Sequence, residues 1–110
     1  MSIVMNLYYT GVNGNARKFA EEMERGGTAG LIRGESGNQR YAYFLSIDDP
    51  ETVLLIDIWK DQHSIDLHHA SPMMETIARL REKYDLHMRA ERYVTDKDGV
   101  PSSDSKFIRQ

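Results

Sequence analysis

The sequence has no cysteine among its 110 residues. This absence excludes disulfide bonds, thiolate metal ligands and cysteine nucleophiles. No apolar run approaches the roughly 20 residues that a membrane-spanning helix needs, and the first residues lack the basic and apolar regions of a signal peptide. We therefore expect a cytoplasmic protein with no membrane partner.

Concentrated positive charge is also missing. The chain has 14 basic and 17 acidic residues, for a net charge of −3. Its most basic stretch, RLREKYDLHMRAER, is interrupted by three acidic residues, whereas nucleic-acid binding requires a clustered basic face. We expect no nucleic-acid partner, and the length suits a single domain.

Hydrophobic periodicity predicts four strands, at residues 2–10, 39–47, 52–59 and 86–94. Between the first two strands, apolar residues at helical spacing predict a helix that weakens at Gly26-Gly27 and resumes over 28–35. After the third strand, a short helix at 61–70 is followed by Ser71-Pro72, which restarts a second one. We expect one domain over residues 1–95 and a polar tail over 96–110.

This β-α-β-β-α-β order predicts an α+β, ferredoxin-like fold, with an antiparallel four-stranded sheet and two helices on one face. The third strand, TVLLIDIW, is apolar on both faces, which indicates a sheet that is covered on both sides. Helices cover one face, and the sheet of a second copy would cover the other. We therefore expect a homodimer.

Three of the four histidines lie in the segment WKDQHSIDLHHASPMM. His63 and His68 are five residues apart, and His68 and His69 point about 100° apart on a helix, so neither pair fits one metal ion. We expect no metal. Ile65 lies three residues before His68, so burial of Ile65 would bring His68 to the inner face as a candidate proton acceptor. Alternatively, both His68 and His69 lie in the last helical turn only because a cation there offsets the helix dipole. We expect His69 to point away from the inner face.

Two further side chains have both a structural and a functional interpretation. Trp59 ends an apolar strand, either as core or as an aromatic wall against a planar ring. Asn6 interrupts IVMNLYY, and a buried amide needs a hydrogen-bond partner. That partner is either neighbouring backbone or an oxygen atom of a substrate or of O₂.

Tyr41 and Tyr43 point the same way along the second strand and are either core or part of a pocket wall. Met74 is a soft side chain that suits either role. Glu35 lies close to Gly37, and we interpret it as a feature of a turn and helix end rather than as an acid catalyst.

Three stretches occur in an order and spacing that resemble the antibiotic biosynthesis monooxygenase domain family, over about residues 3–93. ESGNQRY resembles the family's Glu-x-Gly-x-x-x-Tyr, and IDIW resembles its Glu-x-Trp, with Asp57 in place of Glu. WKDQHSIDLHHASP resembles the family's Trp followed nine residues later by His, which identifies His68 rather than His69. The resemblance implies a dimeric α/β barrel similar to quinol monooxygenases.

The resemblance also implies a function. We expect a cofactor-independent monooxygenase that oxidises a small aromatic phenol or quinol with O₂. His68 would act as the base, Asn6 and a tyrosine hydroxyl would stabilise the oxyanion, and Trp59 would stack on the ring, with Tyr41, Tyr43 and Met74 binding the substrate. Haem-degrading relatives place an iron ligand near Ala78, so no haem is expected. The alternatives are an isomerase or other processing enzyme for a small oxygenated metabolite, and a non-catalytic binding dimer.

Overall fold

A computed structural model describes residues 1–109. Its strands and helices, numbered in chain order, are β1 (Ile3–Thr10), α1 (Asn15–Arg25), α2 (Thr28–Arg33), β2 (Asn38–Leu45), β3 (Thr52–Trp59), α3 (Gln62–His69), α4 (Met73–Lys83) and β4 (His87–Val94). The strands form one antiparallel sheet in the order β2-β3-β1-β4. The predicted α+β ferredoxin-like fold is confirmed.

The connection from β1 to β2 and the connection from β3 to β4 each contain two helices rather than one. Gly27 separates α1 from α2 in the left-handed region, at φ 85°, which glycine adopts without steric cost. Pro72 precedes α4, where its missing N–H leaves no intrahelical bond unmade. Asp61 caps α3 by accepting a 2.8 Å hydrogen bond from the Ser64 backbone N–H.

The predicted strand boundaries agree best with the observed ones for β3, which is the most apolar strand. β3 covers the predicted residues, whereas β2 ends at Leu45, two residues early, and Ile47 is fully exposed. Side-chain hydrogen bonds form a polar turn between these strands, including Thr52 Oγ1 to Asp49 Oδ2 at 2.6 Å. This turn takes the last two residues out of the ladder.

The two faces of the sheet differ in burial because successive side chains on a strand point to opposite sides. On β3, Val53, Leu55, Asp57 and Trp59 are buried against the helices, and the residues between them are only half-buried. We call the side away from the helices the outer face. Its large apolar residues are half-buried or exposed: Val4, Tyr8, Phe44, Leu54, Ile56, Ile58 and Tyr93.

After β4, the chain forms a turn and a short 3₁₀ helix, Ser102–Phe107, with no buried side chain. Phe107 is 78% exposed, although it is the largest apolar residue of the segment. The division of the chain at residue 95 stays a prediction. None of the helices in residues 1–109 is long and apolar enough to cross a membrane.

Gly37 allows the start of β2 to approach α3 closely. A Cβ atom at this position would lie 2.0 Å from Ser64 Oγ and 2.2 Å from Ser64 Cβ. The Gly37 carbonyl also accepts a 2.9 Å hydrogen bond from the Lys60 backbone N–H. The glycine therefore fixes how near the segment before β2 lies to α3.

We predict that Gly37→Ala lowers the free energy of unfolding by about 1–3 kcal/mol, the usual cost of overpacking. Gly30→Ala is the matched control, because a Cβ there meets nothing within 4 Å and alanine favours the helix. Urea unfolding would measure both. Equal stability of the two variants would contradict the close approach.

Candidate active site

A cavity of about 370 Å³ lies between the sheet and the pair of helices α3 and α4. Its volume falls within the range typical of small-molecule sites. Of the six residues predicted for the site, four border this cavity: Tyr41, Trp59, His68 and Met74. Most of the remaining wall is apolar and comes from β1, β3 and β4.

His68 lies on the inner face of α3, as its spacing from Ile65 predicts, and both side chains are about 5% exposed. The imidazole packs against the Trp59 indole with ring centroids 4.7 Å apart and planes tilted by 31°. Trp59 is itself only 1% exposed, so neighbouring side chains enclose it on nearly all sides. The strand end and the short helix therefore hold the two rings together at one end of the cavity.

Glu35 is the direct partner of His68, because its Oε2 lies 2.7 Å from His68 Nδ1. An ionised carboxylate can only accept a hydrogen bond, so Nδ1 carries the hydrogen and Nε2 carries the lone pair. Within residues 1–109, Nε2 has no hydrogen-bond partner. The interpretation of Glu35 as only a turn residue missed this contact.

Burial lowers the pKa of the His68 imidazole below its ordinary value, and the hydrogen bond with Glu35 opposes that decrease. The imidazole is therefore neutral at neutral pH. A neutral ring with a free Nε2 is the form that can accept a proton.

Asp57 is a second titratable group in the cavity wall, and sequence reasoning noted it only as a substitute for Glu. Its side chain is buried, and burial raises the pKa of the carboxyl to about 6. Hydrogen bonds from Trp59 and Asn38 oppose the rise, the second through Asn38 Nδ2 at 3.2 Å from Oδ1. A buried carboxyl with a raised pKa in a cavity is a candidate functional group.

The two tyrosines take different places. Tyr41 borders the cavity, whereas Tyr43 does not, so the assignment of Tyr43 to the substrate wall is corrected. Tyr43 packs edge-on against Phe19, and its hydroxyl lies 3.2 Å from that of Tyr41. Burial raises the pKa of both phenols, so each stays protonated and able to donate a hydrogen bond.

Asn6 does not share the cavity with His68, which corrects the predicted arrangement. It pairs with Ile56 and Glu91 in the sheet, and these residues face outward. Its neighbours Met5 and Leu7 take the cavity side, because strand residues alternate between faces. Asn6 Oδ1 is buried without a hydrogen-bond partner among residues 1–109.

The other histidines of the segment differ from each other. His63 is exposed on α3 and is not part of the cavity wall. His69 was expected to point away but borders the rim, with its ring centroid 5.8 Å from that of His68. Within residues 1–109, no three His, Asp or Glu side chains converge as a metal site would require.

We predict that Asp57→Asn raises the free energy of unfolding at pH 7. The folded-state pKa of about 6 lies above the ordinary value, so the wild type loses stability as pH rises between the two. Removing the charge should recover on the order of 2–3 kcal/mol at pH 7. The gain should shrink as pH falls toward 4, and a gain independent of pH in chemical denaturation would contradict the raised pKa.

Comparison with known proteins identifies the family. The sequence model of the antibiotic biosynthesis monooxygenase family matches residues 1–80. A proposed antibiotic biosynthesis monooxygenase from Nitrosomonas europaea is 17% identical, with a TM-score of 0.76 over 87% of this chain and 91% of that chain. SnoaB, a cofactor-independent oxygenase from Streptomyces nogalater, is 17% identical, with a TM-score of 0.72 over 87% and 94% of the two chains.

The search of curated proteins found no match. At these identities the structural likenesses show the fold alone, whereas the family model covers well over half of the sequence. The chain therefore belongs to the antibiotic biosynthesis monooxygenase family.

Proposed function

We propose that this protein is a cofactor-independent monooxygenase that oxidises a small aromatic phenol or quinol with O₂. The observation that carries this proposal is the His68–Glu35 pair, held beside Trp59 in the wall of an apolar cavity. Membership of the family supports oxygen chemistry, and SnoaB is a relative in fold that is described as a cofactor-independent oxygenase.

The first step is removal of the phenolic proton by His68 Nε2. Glu35 accepts the Nδ1 hydrogen, keeps the ring in this tautomer and stabilises the imidazolium that forms. His68 can accept this proton because burial lowers the pKa of its imidazole, so the ring is neutral before the reaction. Asn6 has no part in this scheme, since it lies on the other face of the sheet.

The resulting phenolate is electron-rich and donates an electron to O₂. The two radicals combine at a ring carbon to form a peroxide. The hydrogen on that carbon leaves as a proton while the O–O bond breaks, which turns the carbon into a carbonyl of a quinone. The departing oxygen takes this proton and the one that His68 returns, and leaves as water. One oxygen atom of O₂ enters the product and the other leaves as water, so no external reductant is required.

The cavity wall suits a planar ring. Trp59 provides an aromatic surface, and Met74 and Leu7 provide apolar contacts. The Tyr41 hydroxyl is the available donor to a developing oxyanion, because its phenol stays protonated. The predicted oxyanion role therefore falls to Tyr41 alone.

A homodimer is part of this proposal. The outer face presents contiguous apolar residues, with Leu54, Ile56 and Ile58 of the central strand β3 only half-buried. Contiguous apolar surface of this kind is typical of an interface. Packing the outer faces of two copies would bury on the order of 2,000 Å² or more, as obligate dimers do.

A second function, isomerisation of a small oxygenated metabolite, is favoured by one observation. Asp57 on the sheet and His68 on α3 are both titratable groups in the same cavity wall. One could remove a proton and the other could return it at a different carbon. An oxygen electrode separates the two functions, because only the monooxygenase consumes O₂.

We predict that His68→Ala lowers turnover of a model quinol by roughly 10²–10⁴, the usual contribution of a general base. His69→Ala is the matched control and should change turnover much less, because His69 is exposed and makes no bond to Glu35. Oxygen uptake would measure both. Similar small effects of the two variants would contradict the role of His68.

The pH profile tests Glu35 in the same assay. Turnover should rise with pH as His68 loses its proton, with a midpoint below the ordinary histidine pKa. Glu35→Gln removes the carboxylate that raises the His68 pKa, so the midpoint of the pH profile should move to lower pH. The turnover reached at high pH should also fall. A midpoint that does not move would show that Glu35 has only a structural role.

We predict that the wild type sediments at twice its 12.7 kDa chain mass, and that Ile56→Lys sediments as a folded monomer. Leu31→Lys is the control, because Leu31 is 64% exposed on α2, away from the outer face. Circular dichroism would check that both variants are folded. A wild-type monomer at micromolar concentration would overturn the dimer.

A further inference from the structure

Two arginines border the cavity, Arg81 from α4 and Arg92 from β4. Within residues 1–109, neither side chain makes an ion pair or a hydrogen bond. Other arginines of the chain do have acidic partners, such as Arg33 with Glu24 and Arg89 with Glu91. The cavity therefore contains cationic groups that the protein itself does not neutralise.

The two arginines lie at the mouth of the cavity rather than in its apolar interior. Arg92 is exposed and Arg81 is half-buried, whereas Trp59 and His68 are buried. Arg81 shares one face of α4 with Met74 and Ile77, about two helical turns beyond the end near His68. A ligand with its ring on Trp59 would extend toward these guanidinium groups.

The acidic group of the cavity wall that lies in register with Arg92 is Asp57, but a strand separates them. Arg92 pairs with Met5, and Met5 pairs with Asp57. This places the backbones of Arg92 and Asp57 two strand spacings apart, roughly 10 Å. Asp57 is also engaged by Asn38.

The charges of the wall therefore favour an anion. Arg81 and Arg92 are positive and His68 is neutral, while Asp57 is the only acidic residue that borders the cavity within the described part of the chain. The wall thus has excess positive charge, although the whole chain has a net charge of −3. The planar guanidinium matches a carboxylate with two parallel hydrogen bonds.

We propose that the substrate of this cavity carries a carboxylate, which Arg81 and Arg92 bind at the mouth while its aromatic ring lies against Trp59. This inference rests on the proposed function, since it takes the same cavity as the active site. It adds a substrate class: aromatic acids rather than neutral phenols.

The test is a comparison of two redox-inert ligands of the same shape, 2-naphthoate and 2-naphthamide. Isothermal titration calorimetry of the wild-type protein should show that naphthoate binds about 10- to 100-fold more tightly, as charge-assisted hydrogen bonds provide. Arg81→Gln and Arg92→Gln should each reduce this preference, and the double variant should abolish it. The amide should bind all variants with similar affinity.

Arg89→Gln is the matched control. Arg89 is on β4 with Arg92 but lies over the Tyr8 ring on the outer face, and its loss changes the net charge equally. The control should keep the full preference. Equal binding of the two ligands to the wild type, or an equal loss in Arg89→Gln, would overturn the inference.

Oxygen uptake separates this inference from the proposed function. If neutral quinols are oxidised but naphthoate has no advantage over naphthamide, the function stands and the carboxylate specificity is wrong. If naphthoate is preferred through the two arginines but no aromatic acid drives oxygen uptake, the anion site stands and the monooxygenase is wrong.

Discussion

The partly buried hydrogen bond between Glu35 and His68 is the interaction on which the rest of the site depends. It joins the segment before β2 to α3, across 33 residues of chain. Its geometry requires the close approach at Gly37 and the defined start of α3 at Asp61. The imidazole is fixed a second time by Trp59, which ends the central strand. This one contact therefore links the packing of the chain to the proposed chemistry of the site.

Opposing effects on ionisation make the site usable at neutral pH. Burial pushes the His68 imidazole toward its neutral form, and Glu35 limits that effect. Burial also raises the pKa of Asp57, so this carboxyl titrates close to neutrality. Such groups cost stability unless they are paired, and they are typical of sites where protons move. The same apolar wall that forms the proposed ring-binding surface thus also sets the protonation of His68 and Asp57.

Much of this arrangement could be predicted from the sequence, because it depends on local periodicity. The boundaries of β3, the order of the elements and the inward position of His68 follow from spacing within one strand or helix. The contact with Glu35 could not be predicted in this way, since it joins residues far apart in the chain. The only sequence feature that pointed to a role for Glu35 was the motif ESGNQRY, which contains both Glu35 and Gly37.

The errors on Asn6 and Tyr43 have a related cause. A strand pattern shows that neighbours alternate, but it does not show which set faces the helices when both sets are apolar, as in IVMNLYY. For Tyr43 the face was right, but the cavity ends before it, at Tyr41. The extent of a cavity depends on the packing of α1 and α4, which no single segment encodes.

The central claim is that burial keeps His68 neutral, while the hydrogen bond to Glu35 holds its hydrogen on Nδ1 and leaves the lone pair on Nε2. Nitrogen-15 NMR of the imidazole ring measures both properties in the unmodified protein. The account predicts the Nδ1–H tautomer at neutral pH and a midpoint of titration below the ordinary histidine pKa. An Nε2–H tautomer, or a ring that is protonated at pH 7, would contradict it.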